Sequence, residues 1–433
     1  MRCPRGTRCE VESNIRVVVL LPLASGRYLQ DFKQSPDLER KVLMSIRVQI
    51  CLSVFIFSLA AAGCRSGNSV GDRQAVNSVV YESVSDYTAW PAGVRLRDGS
   101  IVVYFTLTDE HMGPDGRIVE VRSTDDGVSW SEPRTVYDTP LDERESGITL
   151  LADGSLLLHV WSTRHSRASY GAMADGSYPA RIVDRWVETV EEEAYRSAPT
   201  AGGQILHSVD GGETWEGPAP GPDTIHGGIQ LADGRILVAS YRTTRDYVEV
   251  YAAQDWRGPW DVVAELHSPD PDSIRLGEPS VAQLSSGRIV VMMRATTKPY
   301  NDSDDRCYLY VSYSDDNGLS WSSPVATELW GFPPHLLALD DGRLLVSYGH
   351  RRAPFGQRAA VSADGITWRK RDEVVLRDDA PNVDLGYPAS VQLSDGRILT
   401  VYYQSHPSDT LRPPEGPLPS RHKPDILATT WSL

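Results

Sequence analysis

Covalent ties are scarce in this sequence: five cysteines in 433 residues are too few to build a disulfide scaffold. Positive charge is also short. Lys and Arg number 43 against 58 Asp and Glu, a formal net charge of −15, and a polyanion such as nucleic acid is repelled by that field. Long hydrophobic runs are missing. The longest, Ile50 to Ala62 (ICLSVFIFSLAAA), has about 13 residues, short of the roughly 20 that a membrane-spanning helix needs. There is no His/Cys cluster at zinc spacing and no Gly-rich strand-to-helix loop, so neither a metal nor a nucleotide cofactor is expected. What the chain has in quantity is 35 Gly, 29 Pro and 11 Trp, the composition of many short strands joined by turns.

The apolar run follows Met44 and Arg47 and ends in small residues before Cys64, the order of an export signal. LAAAGC resembles a bacterial lipobox, with Ala61 where a Leu is usual. That resemblance implies lipidation of Cys64 and a periplasmic or cell-surface lipoprotein, plain secretion being the alternative. The expected organisation is an extension over 1–43 ahead of the true start, a signal over 44–63, a flexible tether over 64–78 and one folded domain over 79–433. The domain is expected to be a monomer that meets the membrane only through the lipid on Cys64.

That domain is written as a repeat. VRLRDGSIVVYF, TLLADGSLLLHV, IQLADGRILVAS, AQLSSGRIVVMM, LALDDGRLLVSY and VQLSDGRILTVY each place a turn between two apolar strands. The turn residues Asp98, Asp153, Asp233, Ser286, Asp341 and Asp395 are separated by 55, 80, 53, 55 and 54 positions. Asp-Gly between apolar runs predicts a two-residue type I′ turn. Six units of about 54 residues, none able to bury its own sheet, predict an all-β, six-bladed β-propeller. The one long interval holds an insertion near 162–204, where Ile182, Val183, Trp186, Val187 and Val190 have helical spacing: either a lid over a site or a decoration.

A second motif runs in phase: STDDGVSW (123–130), SVDGGETW (208–215), SDDNGLSW (314–321) and the shorter SADGITW (362–368). Such Asp clusters invite calcium, but each ends in a Trp at the same place in its unit, so a turn-forming role is expected. These are Asp-boxes, and the chain resembles the sialidase superfamily of propellers, where the boxes lie away from the active site.

The other face should carry the chemistry. Eight residues before the turns stand Trp90, Glu145, Ile225, Glu278, Pro333 and Tyr387; eight after stand Thr106, Trp161, Tyr241, Arg294, Gly349 and Tyr403. In a hairpin both sets fall at the open end. Asp109, His111, Asp142, Arg144, His226, Arg242, His350, Arg351 and Arg358 come near it in sequence, giving a polar, aromatic rim suited to a sugar.

GEPSVAQLSSGRIVVMMR resembles the sialidase segment with a Glu and a substrate Arg, implying those roles for Glu278 and Arg294. LGYPASVQLSDGRI resembles the segment with the catalytic Tyr, implying Tyr387. YGHRRAPFGQRAAVSADG resembles the stretch with a further substrate Arg, Arg358 first and Arg351 second, and TLTDEHMG offers Asp109 as the acid. A tyrosine nucleophile escapes the repulsion that a carboxylate would feel from a sialic acid. The implied scheme is Tyr387 as nucleophile, Glu278 as its base, Asp109 as acid/base, and Arg294 with Arg358 as carboxylate clamp. Arg351, Arg144, His111 and Trp90 would be further substrate contacts. The family's first clamp Arg is missing, since Ala89 stands in its place. The expected function is an exported exo-glycosidase of sialidase type acting on a glycan. The alternatives are a related propeller enzyme on another glycan, or a non-catalytic glycan- or protein-binding lipoprotein.

Overall fold

A computed structural model of the protein describes residues 75–83, 85–171, 178–198, 201–241, 245–301, 303–405 and 423–433. The segment 1–43, the signal over 44–63, Cys64 and Arg242 lie outside the described residues.

The continuous apolar runs of the repeat become the second strand of each sheet. β3 (Ile101–Thr108), β7 (Leu156–Thr163), β11 (Ile236–Tyr241), β15 (Ile289–Thr297), β19 (Leu344–His350) and β23 (Ile398–Gln404) are buried almost throughout. A strand covered by a neighbouring sheet on each face has no use for polar alternation. Inside each lies the first strand: β2 (Tyr87–Arg95), β6 (Asp142–Leu150), β10 (Gly228–Gln230), β14 (Ile274–Gln283), β18 (Pro334–Ala338) and β22 (Leu385–Gln392). These inner strands touch in order around the ring, and β22 meets β2. Six four-stranded antiparallel sheets result, the predicted six-bladed propeller.

The ring closes across the chain ends. β1 (Val76–Tyr81) pairs antiparallel with β24 (Asp425–Trp431), Val76 opposite Thr430, in the sheet order β1-β24-β23-β22. Residues 76–78 of the expected tether therefore belong to the last blade. In the long interval lie α1 (Arg167–Gly171), α2 (Ala180–Glu191) and α3 (Glu193–Ser197). They bury Val183, Trp186 and Val190 against Leu141, with Tyr170 and Tyr195 in the same cluster.

The hairpin turns differ from the expected type I′. Only the glycine takes positive φ, from 86° at Gly396 to 96° at Gly154. The Gly99 amide donates to the Leu96 carbonyl (3.0 Å) and the Leu96 amide to that of Ser100 (2.8 Å). This is a type I turn followed by a left-handed glycine, one residue longer than type I′. The aspartate selects it: Asp98 Oδ1 accepts the Ser100 amide at 2.9 Å, a contact repeated by Asp153, Asp233, Asp341 and Asp395.

The Asp-boxes occupy the same end of the blades as these turns. Ser314 Oγ accepts the Gly318 amide (2.9 Å) and donates to Asp316 Oδ1 (2.8 Å), which also accepts the Ser320 amide (2.8 Å). The other boxes repeat the pattern. Hydrogen bonds from the Ser or Thr side chain four residues on, then from its amide, hold the carboxyls of Asp125, Asp210 and Asp316 down at about 2. The box tryptophans Trp130, Trp215, Trp321 and Trp368 pack in clusters that join neighbouring blades.

Because the box carboxylates are engaged by their own loops, a calcium chelator should leave the thermal midpoint of the protein unchanged. Trp368→Ala, which empties a site only 4% exposed, should cost about 3–5 kcal/mol in urea unfolding. A chelator-sensitive midpoint, or a neutral Trp368→Ala, would contradict this account of the boxes.

Candidate active site

At the open end the inner strands share a defect. Between Ala89 and Ala92, Arg144 and Gly147, Gly277 and Ser280, and Gly386 and Ala389, three steps on the inner strand match two on its partner. One extra residue is thus inserted at the same place in four blades, a β-bulge. The bulged residues are Trp90 (φ 56°), Glu145 (φ 49°), Glu278 (φ 41°) and Tyr387 (φ 48°). They are four of the six positions that the turn spacing singles out. A left-handed non-glycine costs on the order of 1–3 kcal/mol and persists where the surroundings enforce it. Pro91, Pro279 and Pro388 follow three of them. Lacking an N–H, a proline at a bulge withdraws no donor from the ladder.

Three of the bulged residues form one electrostatic group. Arg294 Nη1 donates to both oxygens of Glu278, at 2.7 and 2.8 Å. The Arg294 guanidinium also lies 4.2 Å from the Phe332 ring centre. Glu145 is 8% exposed, and its Oε2 has no hydrogen-bond partner among the described residues. Burial first, and then the charge of Glu278, push its carboxyl up to about 8, against Arg144 and Arg294. Burial, Glu278 and Glu145 likewise raise the Tyr387 phenol well above its usual value. Tyr241 borders the same charges and is raised too, chiefly by burial.

Trp90 anchors the adjoining half. The Arg144 guanidinium sits 5.1 Å from its ring centre, while His111, Tyr387 and Tyr403 meet the ring edge-on at 5.3 to 6.4 Å. Asp142 and the His111 carbonyl hold Arg144 in place, and His165 Nε2 donates to Asp142 Oδ2 (2.8 Å). Tyr87 Oη bridges His111 Nδ1 (2.6 Å) and Asp384 (2.9 Å). Tyr403 Oη donates to the same Asp384 (3.2 Å) and accepts from Arg351 Nη2 (3.3 Å). Burial, opposed by Asp384 and helped by Arg144 and Arg351, lowers His111 to about 4, so its ring is neutral near pH 7.

The structure thus gathers Trp90, His111, Arg144, Glu278, Arg294, Arg351 and Tyr387. Asp109 turns elsewhere: its Oδ2 accepts Trp186 Nε1 of α2 (2.9 Å) and pairs with Arg185. Burial and Asp115 raise it to about 6. Arg358 is not brought to the group. It is 3% exposed within its blade, donating to the carbonyls of Gln357, Arg377 and Pro354 and facing Glu373. The clamp that the resemblance implies therefore lacks Arg358 as well as the residue replaced by Ala89. Sequence reasoning missed Tyr87, Asp384 and Phe332. A signal for two of them existed, since Tyr87, Asp142 and Asp384 each stand three residues before a bulged residue. Among the described residues no group of three or more His, Cys, Asp or Glu could hold a metal ion.

A BNR repeat-like domain profile matches residues 182–400. None of the curated proteins matches the chain. Among solved structures, a protein of unknown function from Dyadobacter fermentans is 25% identical, with 82% of this chain and 98% of that one covered and a TM-score of 0.63. The NanB sialidase from Streptococcus pneumoniae is 13% identical over 82% of this chain and 70% of its own, TM-score 0.53. An α-L-arabinanase from Penicillium chrysogenum, complexed with arabinobiose, is 15% identical over 82% and 98%, TM-score 0.53. At such identities the last two likenesses show a shared fold.

The raised carboxyl of Glu145 has a stability consequence. It folds without penalty below the ordinary carboxyl value near 4.5. Ionisation then weighs increasingly against the folded state as pH climbs, until the group titrates at about 8. Glu145→Gln should therefore gain stability relative to the parent between these pH values, read as the difference in urea midpoints. A difference independent of pH would mean that Glu145 is not held protonated.

Proposed function

The chain belongs to the BNR repeat-like family, and from that footing we propose that it is a glycoside hydrolase in which Glu145 donates a proton to the glycosidic oxygen. The observation that carries this is the split between two neighbouring carboxyls. Glu145 is kept protonated to about pH 8, while Glu278 is ion-paired with Arg294. Environments that drive two carboxyls apart create an acid and a carboxylate in one site, and glycoside hydrolysis uses such a pair. Glu278 is then the carboxylate beside the anomeric carbon. Trp90 and Tyr241 supply walls for a sugar ring, Arg144 donates to its hydroxyls, and His111 donates or accepts there. Arg294 and Arg144 are each neutralised by a carboxylate of the protein, and Ala89 offers no charge. These features favour a terminal sugar without a carboxylate of its own.

A second reading, sialidase-type hydrolysis with Tyr387 as nucleophile, is favoured by Glu278 lying beside Tyr387 as a base. Against it, a phenolate would be a further negative charge beside Glu278 in a buried pocket, which is the reason its titration is driven up.

Turnover of a panel of fluorogenic glycosides, sialosides included, tests the two. On the first reading Glu145→Gln loses about 10²–10⁴-fold in kcat, and kcat/KM of the parent falls as pH rises through about 8. Sialoside turnover that survives Glu145→Gln but vanishes in Tyr387→Phe would transfer the assignment to the second. Export as a lipoprotein rests on the pattern over 44–64, and acyl labelling that persists in Cys64→Ser would count against it.

A further inference from the structure

We infer that Tyr300 is a stacking platform for the sugar on the leaving-group side of the bond that is cut. This inference rests on the glycosidase reading for which side of the bond is meant. The inner group is nearly closed off, with Glu145, Arg294 and Tyr387 between 6% and 8% exposed, so it has room for a chain end rather than a chain passing through. Whatever is attached to that terminal sugar must leave toward solvent past the rim. Tyr300 stands there, 70% exposed, with its hydroxyl accepting from Arg294 Nη2 at 3.4 Å, the same guanidinium that holds Glu278.

An aromatic ring left in water at the mouth of a polar site gains by covering the C–H face of a sugar, provided little freedom is lost in doing so. The segment that carries Tyr300 is already fixed. The Lys298 amide donates to the Ser273 carbonyl (2.8 Å). Thr297 Oγ1 donates to the carbonyls of Pro299 (3.0 Å) and Asn301 (3.3 Å), and Lys298 Nζ reaches Asp246 and the Pro271 carbonyl, each at 2.6 Å. Beyond it, Trp330 Nε1 donates to the Asp304 carbonyl (2.9 Å). The ring is thus held through its hydroxyl and its backbone while most of the residue is exposed.

An array of defined oligosaccharides, probed with Glu145→Gln to suppress cleavage, reads the platform without needing turnover. Adding Tyr300→Ala should weaken binding to the glycans recognised by about three- to ten-fold. Tyr300→Phe, which keeps the ring, should restore most of it. Equal binding with and without Tyr300→Ala overturns the platform, as does the absence of any array binding. A Phe variant as weak as the Ala variant also overturns it, since the hydroxyl on Arg294 would then be what matters. Turnover of the glycoside panel beside a silent Tyr300→Ala leaves the hydrolase standing and removes the platform. Binding that depends on Tyr300 with no turnover does the reverse.

Discussion

Everything at the rim depends on one backbone constraint, the single residue inserted into the inner strand of four blades. Side chains on a strand alternate between faces, so a regular inner strand would send successive residues to the two neighbouring blades. The inserted residue breaks that alternation and takes positive φ. Trp90, Glu145, Glu278 and Tyr387 all do so. Because the insertion recurs at the same register in four sheets, the four residues stand at equivalent places in their blades. No loop has to be ordered to bring them together, and the mutual distances are set by the spacing of the blades.

Convergence has an electrostatic consequence. Glu145 and Glu278 reach the same buried space, where Arg144 and then Arg294 act on Glu145 while Arg294 pairs with Glu278. The guanidinium aligns with Glu278 through two hydrogen bonds, which leaves Glu145 to avoid charge by keeping its proton. The asymmetry therefore follows from where the arginine sits. Arg294 is directly opposite Gly277 in the ladder, next to the bulged Glu278, whereas the residue opposite Arg144 in the equivalent blade is Trp161. Two blades of similar sequence thus present an ion-paired carboxylate and a protonated acid.

The blade count and the rim positions were legible because both are local: six turns in phase fix six hairpins, and counting from the turn finds the open end. Glu278, Arg294 and Tyr387 come together as that counting implies. Arg358 misled because its match lay in a loop-and-strand stretch, where pattern does not say which way a side chain turns. In the fold it answers backbone carbonyls left at an irregular pairing with β21 (Val374–Arg377). Asp109 follows the first hairpin in sequence, but its partners come from an insertion some 76 residues away, beyond any local signal. The turn type was misjudged because Asp-Gly permits two geometries. The aspartate's own hydrogen bond to the amide two residues on decides between them.

The closure of the ring bears directly on this chemistry. Blades one and six meet at a seam between residues that are hundreds of positions apart, and half of the rim network is built across it. Tyr87 donates to Asp384, Trp90 packs on Tyr387 and Tyr403, and Thr88 Oγ1 donates to the Pro424 carbonyl. The same seam is held by β1 pairing with β24, which makes β1 the outer strand of the last blade. Strain at the bulged residues would relax if neighbouring blades could part, and at this seam the chain itself crosses from β1 in the last blade to β2 in the first. The pairing of β1 with β24 therefore does more than complete a sheet. It keeps Trp90 and Tyr387 at a fixed separation, so the geometry of the site is a property of the closed ring rather than of any single blade.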